Sequence, residues 1–135
     1  MKTIFLTLLL TLFFGAMINV EAKTPKILKL RLHEQKNIAG TKLTVKFLEM
    51  VEDSRCPKGV NCVWAGNAKI SIEISKNGKS AKTFELNSNL DPQTIMFEGC
   101  KFRLIALDPY PANNIRIDRN GYIAAIEIVA TKKHH

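Results

Sequence analysis

Two cysteines, Cys56 and Cys62, are the side chains of this sequence whose spacing points most directly to chemistry. Such thiols form a disulfide in an oxidising compartment and can bind a metal as thiolates in a reducing one. The five residues between them exceed the about two to four that are usual in zinc knuckles. Pro57 and Gly59 also favour a turn between the two cysteines. We therefore predict a Cys56–Cys62 disulfide and no metal site.

Groups suited to catalysis are sparse in the sequence. The histidines are His33, His134 and His135. The sequence contains no Gly-x-Ser-x-Gly, His-Glu-x-x-His or phosphate-loop motif. An acidic cluster, Glu49, Glu52 and Asp53, could do acid–base work, but we interpret it as a solvated rim in which Asp53 binds loop amides. We predict no catalytic residues, no cofactor and no enzymatic activity.

The first 22 residues have the layout of a secretory signal peptide. Lys2 supplies a positive charge, Thr3–Ile18 is almost continuously apolar, and Ala22 ends a small-residue cleavage site. The apolar core is too short to favour a membrane-spanning anchor, which is the alternative. We predict cleavage after Ala22, a periplasmic or secreted location, and one mature domain over residues 23–135.

The charge of the chain restricts its partners. The net charge is +8 at pH 7, and Lys outnumbers Arg three to one. Lysines make a solvated positive surface and lack the forked geometry with which Arg grips phosphates. We expect a monomer that binds no nucleic acid, with a weak attraction to anionic envelope surfaces.

Alternating apolar and polar residues predict strands along most of the mature chain. Beyond the alternating segments that begin at Leu28, Leu43 and Ile70, we predict strands at Lys82–Leu86, Thr94–Phe97, Lys101–Leu107, Ile115–Ile117 and Tyr122–Thr131. The parity slips at Leu48, which predicts a bulge. The last strand is apolar on both faces except at Glu127, which predicts a central position. A short segment after Gln35 is the one candidate helix. The pattern favours an all-β fold, a single antiparallel β-sandwich (Ig-like or related) of about seven to eight strands.

The Asn77-Gly78 pair is a strong hairpin signal, and the register around it can be argued from the buried face. A two-residue turn would place Phe84 opposite Ser71, away from the isoleucines of the preceding strand. A three-residue loop ending at Gly78 places Phe84 opposite Ile70, so that the apolar faces agree. We predict the three-residue loop, with Phe84 and Leu86 on the buried face.

Two further residues allow a structural and a functional interpretation. Trp64 follows Cys62 closely, and we expect its ring to pack over the disulfide and close one end of the sandwich. The alternative is an exposed anchor for a sugar or a protein. Cys100 lies on the apolar parity of Phe102 and Leu104, so we predict a buried free thiol. A reactive or intermolecular Cys100 is the alternative.

The loop Asp53–Gly66 resembles a motif of small, uncharacterised exported bacterial proteins. The residues that carry the resemblance are Asp53-Ser54-Arg55-Cys56-Pro57, Gly59-Val60 and Cys62-Val63-Trp64-Ala65-Gly66. The Asp108-Pro109-Tyr110-Pro111 segment before the last strand is also similar. The resemblance implies bacterial export and a one-domain β fold, and it implies no activity.

These observations lead to an expectation about function. We expect an exported, non-catalytic binding domain for an unknown protein or envelope component, because pinning a loop lowers the ordering entropy that binding must overcome. The candidate contact residues are Arg55, Pro57, Lys58, Val60, Asn61 and Trp64. One alternative is a periplasmic metal-handling protein of the copper type, in which Met50, Met96 and Cys100 could join the two cysteines, although nothing in their spacing gathers them. A protease inhibitor is less favoured, because the Asn-Pro-Thr-Thr-Gly-Tyr loop of chagasin-like inhibitors is absent.

The signal-peptide assignment predicts that the exported protein begins at Lys23. The intact mass of material recovered after export measures this directly. A product that still carries residues 1–22 would identify an anchored protein and overturn the predicted location.

Overall fold

The computed structural model describes residues 24–131, so the predicted signal peptide, its cleavage site, His134 and His135 lie outside the described residues. Eight strands follow one another along the chain: β1 (Lys26–Arg31), β2 (Gln35–Asn37), β3 (Leu43–Asp53), β4 (Ala68–Lys76), β5 (Lys79–Asn87), β6 (Thr94–Phe97), β7 (Cys100–Asp108) and β8 (Ile123–Ala130). Within this part of the chain, no helix is long and apolar enough to cross a membrane.

The strands form two antiparallel sheets of four strands each, ordered β1-β8-β7-β6 and β2-β3-β4-β5. The prediction of an all-β antiparallel sandwich is confirmed. The last strand, β8, lies between β1 and β7, so its predicted central position is confirmed as well. Its inward side chains, Ala124, Ile126 and Ile128, are buried in the core, and the other face is apolar except at Glu127.

Two local predictions are wrong. The segment after Gln35 is no helix: it forms β2, an exposed edge strand that pairs with β3. Ile115–Ile117 is no strand: it pairs with none of the eight strands, and Ile115 is 52% exposed, so its apolar spacing is not accompanied by burial. This segment belongs to the long connection that precedes β8, where Lys58 and Ala112 form an isolated parallel bridge.

The core lies between the sheets and is built from the inward side chains of both. The largest completely buried apolar side chains are Phe47, Phe102, Leu30, Ile70, Ile72, Ile74, Leu86, Ile126 and Val45. Burying one such side chain contributes about 1.5–3 kcal/mol. Neither sheet could bury these residues alone, so the two sheets depend on each other for stability.

Bulges in β3 determine which residues face the core. The register shifts at Leu48, as predicted, and again at Val51. After both shifts, Asp53 pairs with the buried Ala68. Directly paired residues share a face of the sheet, so the bulges deliver the Asp53 carboxylate to the inner side at the end of the strand.

The β4–β5 hairpin confirms the predicted face and corrects the predicted turn. The turn has two residues, Asn77 and Gly78, both with positive φ (54° and 68°). A bulge then supplies the extra residue, next to Ser80, whose φ is 53°. Phe84 consequently pairs with Ile72 and Leu86 with Ile70, so the predicted pairing of Phe84 with Ile70 is wrong by two residues although the core-facing side is the predicted one. The buried face dictated the register, and the bulge accommodated the turn type that Asn-Gly prefers.

The connections divide the sandwich into two unlike ends. At one end, which we call the long-loop end, lie the connections 53–68, 87–94 and 108–123. At the other end, the short-turn end, lie the turns 38–43, 76–79 and 97–100 together with the first residues of β1 and the last residues of β8. Long irregular loops that converge at one end of a rigid sandwich are where such folds usually carry function.

The buried position of Cys100 predicts the reactivity of its thiol. Cys100 is free and 5% exposed. We therefore expect no thiol to react in the native protein and one per chain to react after denaturation, as measured with a chromogenic thiol reagent. Two or more thiols, or one that reacts before unfolding, would contradict this arrangement.

Candidate functional site

The loop between β3 and β4 is closed by a disulfide, as predicted. Cys56 and Cys62 are bonded, with their Cα atoms 5.9 Å apart. Closing so small a ring contributes roughly 2–2.5 kcal/mol through loop entropy. The two arms of the loop also continue the β3–β4 pairing, because Ser54 N–H donates to Asn67 O (2.8 Å) and Cys56 N–H donates to Ala65 O (2.9 Å). The loop is therefore an ordered extension of the hairpin.

Beneath the disulfide, Arg55 is buried and fully engaged. Its Nε and Nη2 donate to the two carboxylate oxygens of Asp53 at 2.8 and 2.9 Å. Its Nη1 donates to Leu107 O at 2.6 Å, and Nη2 also donates to Pro109 O at 3.0 Å. Arg55 is only 8% exposed, so its predicted role as a contact residue is corrected. The guanidinium instead binds the end of β7, in the opposite sheet, to the loop after β3.

Asp53 completes this ion pair and is no solvated rim residue. Its side chain is 11% exposed, and Oδ2 also accepts a hydrogen bond from Tyr122 Oη at 3.0 Å. Burial tends to raise the pKa of Asp53, but the hydrogen bonds from Arg55 and Tyr122 outweigh it and leave that pKa below its usual value. The pKa of Tyr122 is raised, mainly by burial and secondly by its hydrogen bond to the Asp53 carboxylate.

Tyr110 covers the ion pair from outside. Its ring centroid lies 4.8 Å from Arg55 Cζ, a cation–π distance, and its Oη donates to Cys56 O at 3.0 Å. Lys58 N–H donates to Pro111 O at 3.0 Å. The segment 108–111 thus lies against the disulfide loop and supports it.

A second polar cluster holds the 87–94 loop beside the disulfide loop. Asn67 is completely buried, and its Nδ2 donates to Asn87 Oδ1 at 2.9 Å. Asn67 Oδ1 accepts from the backbone N–H groups of Asn89 (3.1 Å) and Leu90 (3.2 Å). Sequence reasoning missed Asn67 and Asn87. The signal was an Asn at the beginning of one strand and at the end of another, where its low strand propensity needs a reason.

Gly66 is required where the two arms of the loop meet. Its φ is +74°, and a Cβ atom there would lie 1.9 Å from Ser54 O. No side chain fits at that distance, and the positive φ disfavours other residues as well. The Gly66 of the loop motif is therefore explained by close backbone approach.

The tip of the loop presents apolar side chains to solvent. Val63 is fully exposed, Trp64 is 55% exposed and Val60 is 38% exposed. The prediction that Trp64 closes one end of the sandwich is wrong, because the ring stands outside the core. Lys58 and Asn61 are exposed and Pro57 is half-buried, so the candidate contact residues other than Arg55 lie in this loop with accessible surface.

A shallow cleft of about 490 Å³ opens beside the same loop, along the second half of β7. Strand β6 pairs only with Cys100–Arg103, so the edge of β7 beyond Arg103 faces this cleft. Arg55 occupies the Leu107 and Pro109 carbonyls there. The bond to Leu107 O hinders another strand from pairing at the end of this edge.

Metal ligands and similarity to known proteins could also indicate what the long-loop end does. Within residues 24–131, no three His, Cys, Asp or Glu side chains are close enough to hold a metal ion together. No family model, curated protein or solved structure matches the chain. The interpretation of the site therefore rests on its geometry: a rigid polar base beneath an exposed apolar tip.

The buried ion pair predicts a defined loss of stability on replacing Asp53. Asp53→Asn leaves the Arg55 charge buried without its counter-ion, and we expect a loss of about 3 kcal/mol in the free energy of unfolding at neutral pH. The exposed Glu49→Gln should change it by less than about 0.5 kcal/mol. Denaturant titration measures both variants.

The same pair predicts how this loss depends on pH. Because folding lowers the pKa of Asp53, its contribution is complete above the unfolded value of 3.8 and disappears as the pH falls below it. The difference in stability between the wild type and Asp53→Asn should therefore narrow from about pH 4 downward. A difference that stays constant in acid would show that the carboxylate charge is not what stabilises the loop.

Proposed function

We propose that this protein is an exported, non-catalytic binding domain whose contact surface is the apolar tip of the disulfide loop, Val60, Val63 and Trp64. The observation that carries the proposal is the contrast within this one loop. Its base is held by a disulfide and a buried ion pair, whereas its tip exposes a tryptophan and two valines.

Exposed apolar side chains on a well-ordered loop favour a role in binding over an exposure that has no function. Trp is the residue most enriched at interaction hot spots, and a pre-ordered loop loses little entropy when a partner covers it. Other exposed apolar side chains lie at the same long-loop end: Leu90, Tyr110 and Ile115. Together they offer an apolar surface with Lys58 at its margin.

The partner is a protein or another envelope component with a complementary apolar surface. A metal-handling role would require both cysteines as thiolates, and the disulfide consumes them. Metal titration of the reduced and the oxidised protein, followed by native mass spectrometry, tests that alternative. A stoichiometric metal bound by the reduced protein alone would favour it. Assays against a protease panel test the inhibitor alternative.

The main experiment compares the loop tip with a matched surface elsewhere. Wild type, Val63→Ser/Trp64→Ser and the control Ile27→Ser/Met96→Ser are each immobilised and exposed to an envelope extract. The control residues are 59% and 54% exposed, close to the 55% of Trp64, but lie outside the long-loop end. We expect a component that the wild type and the control retain and that the loop variant loses.

The retained component is then purified and titrated calorimetrically against all three proteins. Loss of a central aromatic anchor should weaken its binding by about 30-fold or more. The three melting temperatures should agree within a few degrees, because exposed side chains contribute little to stability. Equal binding to all three proteins would overturn the assignment of the contact surface.

A further inference from the structure

The short-turn end carries an excess of positive charge. Its lysines are Lys26, Lys42, Lys76, Lys79, Lys82 and Lys101, and all of them are exposed. They come from both sheets: two lie at the beginnings of β1 and β3, three lie around the β4–β5 turn, and one lies at the beginning of β7. The fold therefore gathers, on one end of the sandwich, lysines that are far apart in the sequence.

Negative charge at this end does not balance the lysines. In the described segments 24–26, 38–43, 75–82, 97–101 and 128–131, the one acidic residue is Glu98, whose Oε2 lies 3.0 Å from Lys76 Nζ. Lys26 Nζ donates to the Ala39 carbonyl, which carries no formal charge. The end thus keeps a strong net positive charge.

The opposite end is electrically balanced. Its exposed charged residues include the cations Lys58, Arg116 and Arg119 and the carboxylates Asp91, Asp108 and Asp118. The molecule consequently has a basic short-turn end and an apolar, nearly neutral long-loop end. Such an asymmetry orients a protein in the field of a charged surface.

We infer that the short-turn end docks on an anionic phospholipid surface and that the long-loop end then points away from it. The lysines are spread over three turns, and each is a solvated point charge on a flexible stem. Such an array suits many phosphates distributed over a plane better than one phosphate in a pocket. Both ends of the described chain, Thr24 and Thr131, lie at this basic end, and the sequence adds Lys23, Lys132 and Lys133 beyond them.

This inference concerns a different surface from the proposed partner-binding tip and does not rest on it. The two are nevertheless compatible, because docking through the lysines leaves Val63 and Trp64 accessible. The single Trp of the chain, Trp64, also reports the orientation. Its emission is expected to stay unchanged if the basic end faces the lipid, and to shift to the blue if the apolar tip enters it.

The test uses protein recovered after export and vesicles of phosphatidylglycerol and phosphatidylcholine in equal parts. Sedimentation gives the partition coefficients of the wild type, Lys79→Gln/Lys101→Gln and the matched control Arg116→Gln/Arg119→Gln. Both double variants lose two positive charges, from opposite ends of the molecule. Each lysine near an anionic surface contributes about fivefold, so the lysine variant should partition about 25-fold less strongly than the wild type. The control should change less than about threefold.

Further binding measurements identify what the lysines bind. Binding should be lost at high salt and on pure phosphatidylcholine, because it is screened Coulomb attraction. Free inorganic phosphate at matched ionic strength should not compete more strongly than chloride. Equal losses in the two double variants would show that only the total charge matters and would overturn the inference. Absence of binding at low salt, or a blue shift of Trp64, would overturn it as well.

Discussion

The buried ion pair between Arg55 and Asp53 is the interaction on which the long-loop end depends. Taking two charges out of water is costly unless each is paired and fully hydrogen-bonded. Here both carboxylate oxygens receive the guanidinium, Tyr122 donates to the same carboxylate, and the remaining guanidinium bonds go to Leu107 O and Pro109 O. Since Leu107 belongs to β7 of the opposite sheet and Pro109 to the connection that follows it, the pair links the two layers of the sandwich where their loops begin.

Other features of this end are arranged around that pair. Tyr110 stacks on the guanidinium and donates to the Cys56 carbonyl, which holds the 108–111 segment against the disulfide loop. Gly66 lets the two arms of the loop approach, and Asn67 fastens the neighbouring loop through its amide. The loop motif Asp53–Gly66 therefore contains two kinds of residue. Arg55 and Gly66 build the base, while Val63 and Trp64 form the exposed tip.

The same division runs through the whole molecule. Lysines collect at the short-turn end and exposed apolar side chains collect at the long-loop end, with a continuous core between them. A rigid sandwich keeps these ends apart and oppositely directed, because its strands run from one end to the other. A protein built this way can contact one surface through charge and another through apolar area without the two competing.

Several local predictions were overturned for a common reason. The alternation of Ile70, Ile72 and Ile74 predicted the buried face correctly, yet the turn beside it was assigned wrongly. A bulge can take up one extra residue in a strand. The buried face therefore determines which residues pair, but it does not determine how many residues form the turn. Ile115–Ile117 had apolar residues at strand spacing but pairs with no strand, and Ile115 is exposed.

By itself, the sequence determined what local pattern and covalent chemistry control. Period-two alternation led to two antiparallel sheets, the parity slip at Leu48 located a bulge, and close spacing identified the Cys56–Cys62 bond. Only the tertiary structure decided that Arg55 is buried and Trp64 exposed. The acceptors of Arg55 in β7 and beyond are more than fifty residues away, and an exposed Trp reflects the lack of a covering neighbour. Burial of a loop side chain depends on which distant segments fold over it, and the residues next to it in the sequence do not specify those segments.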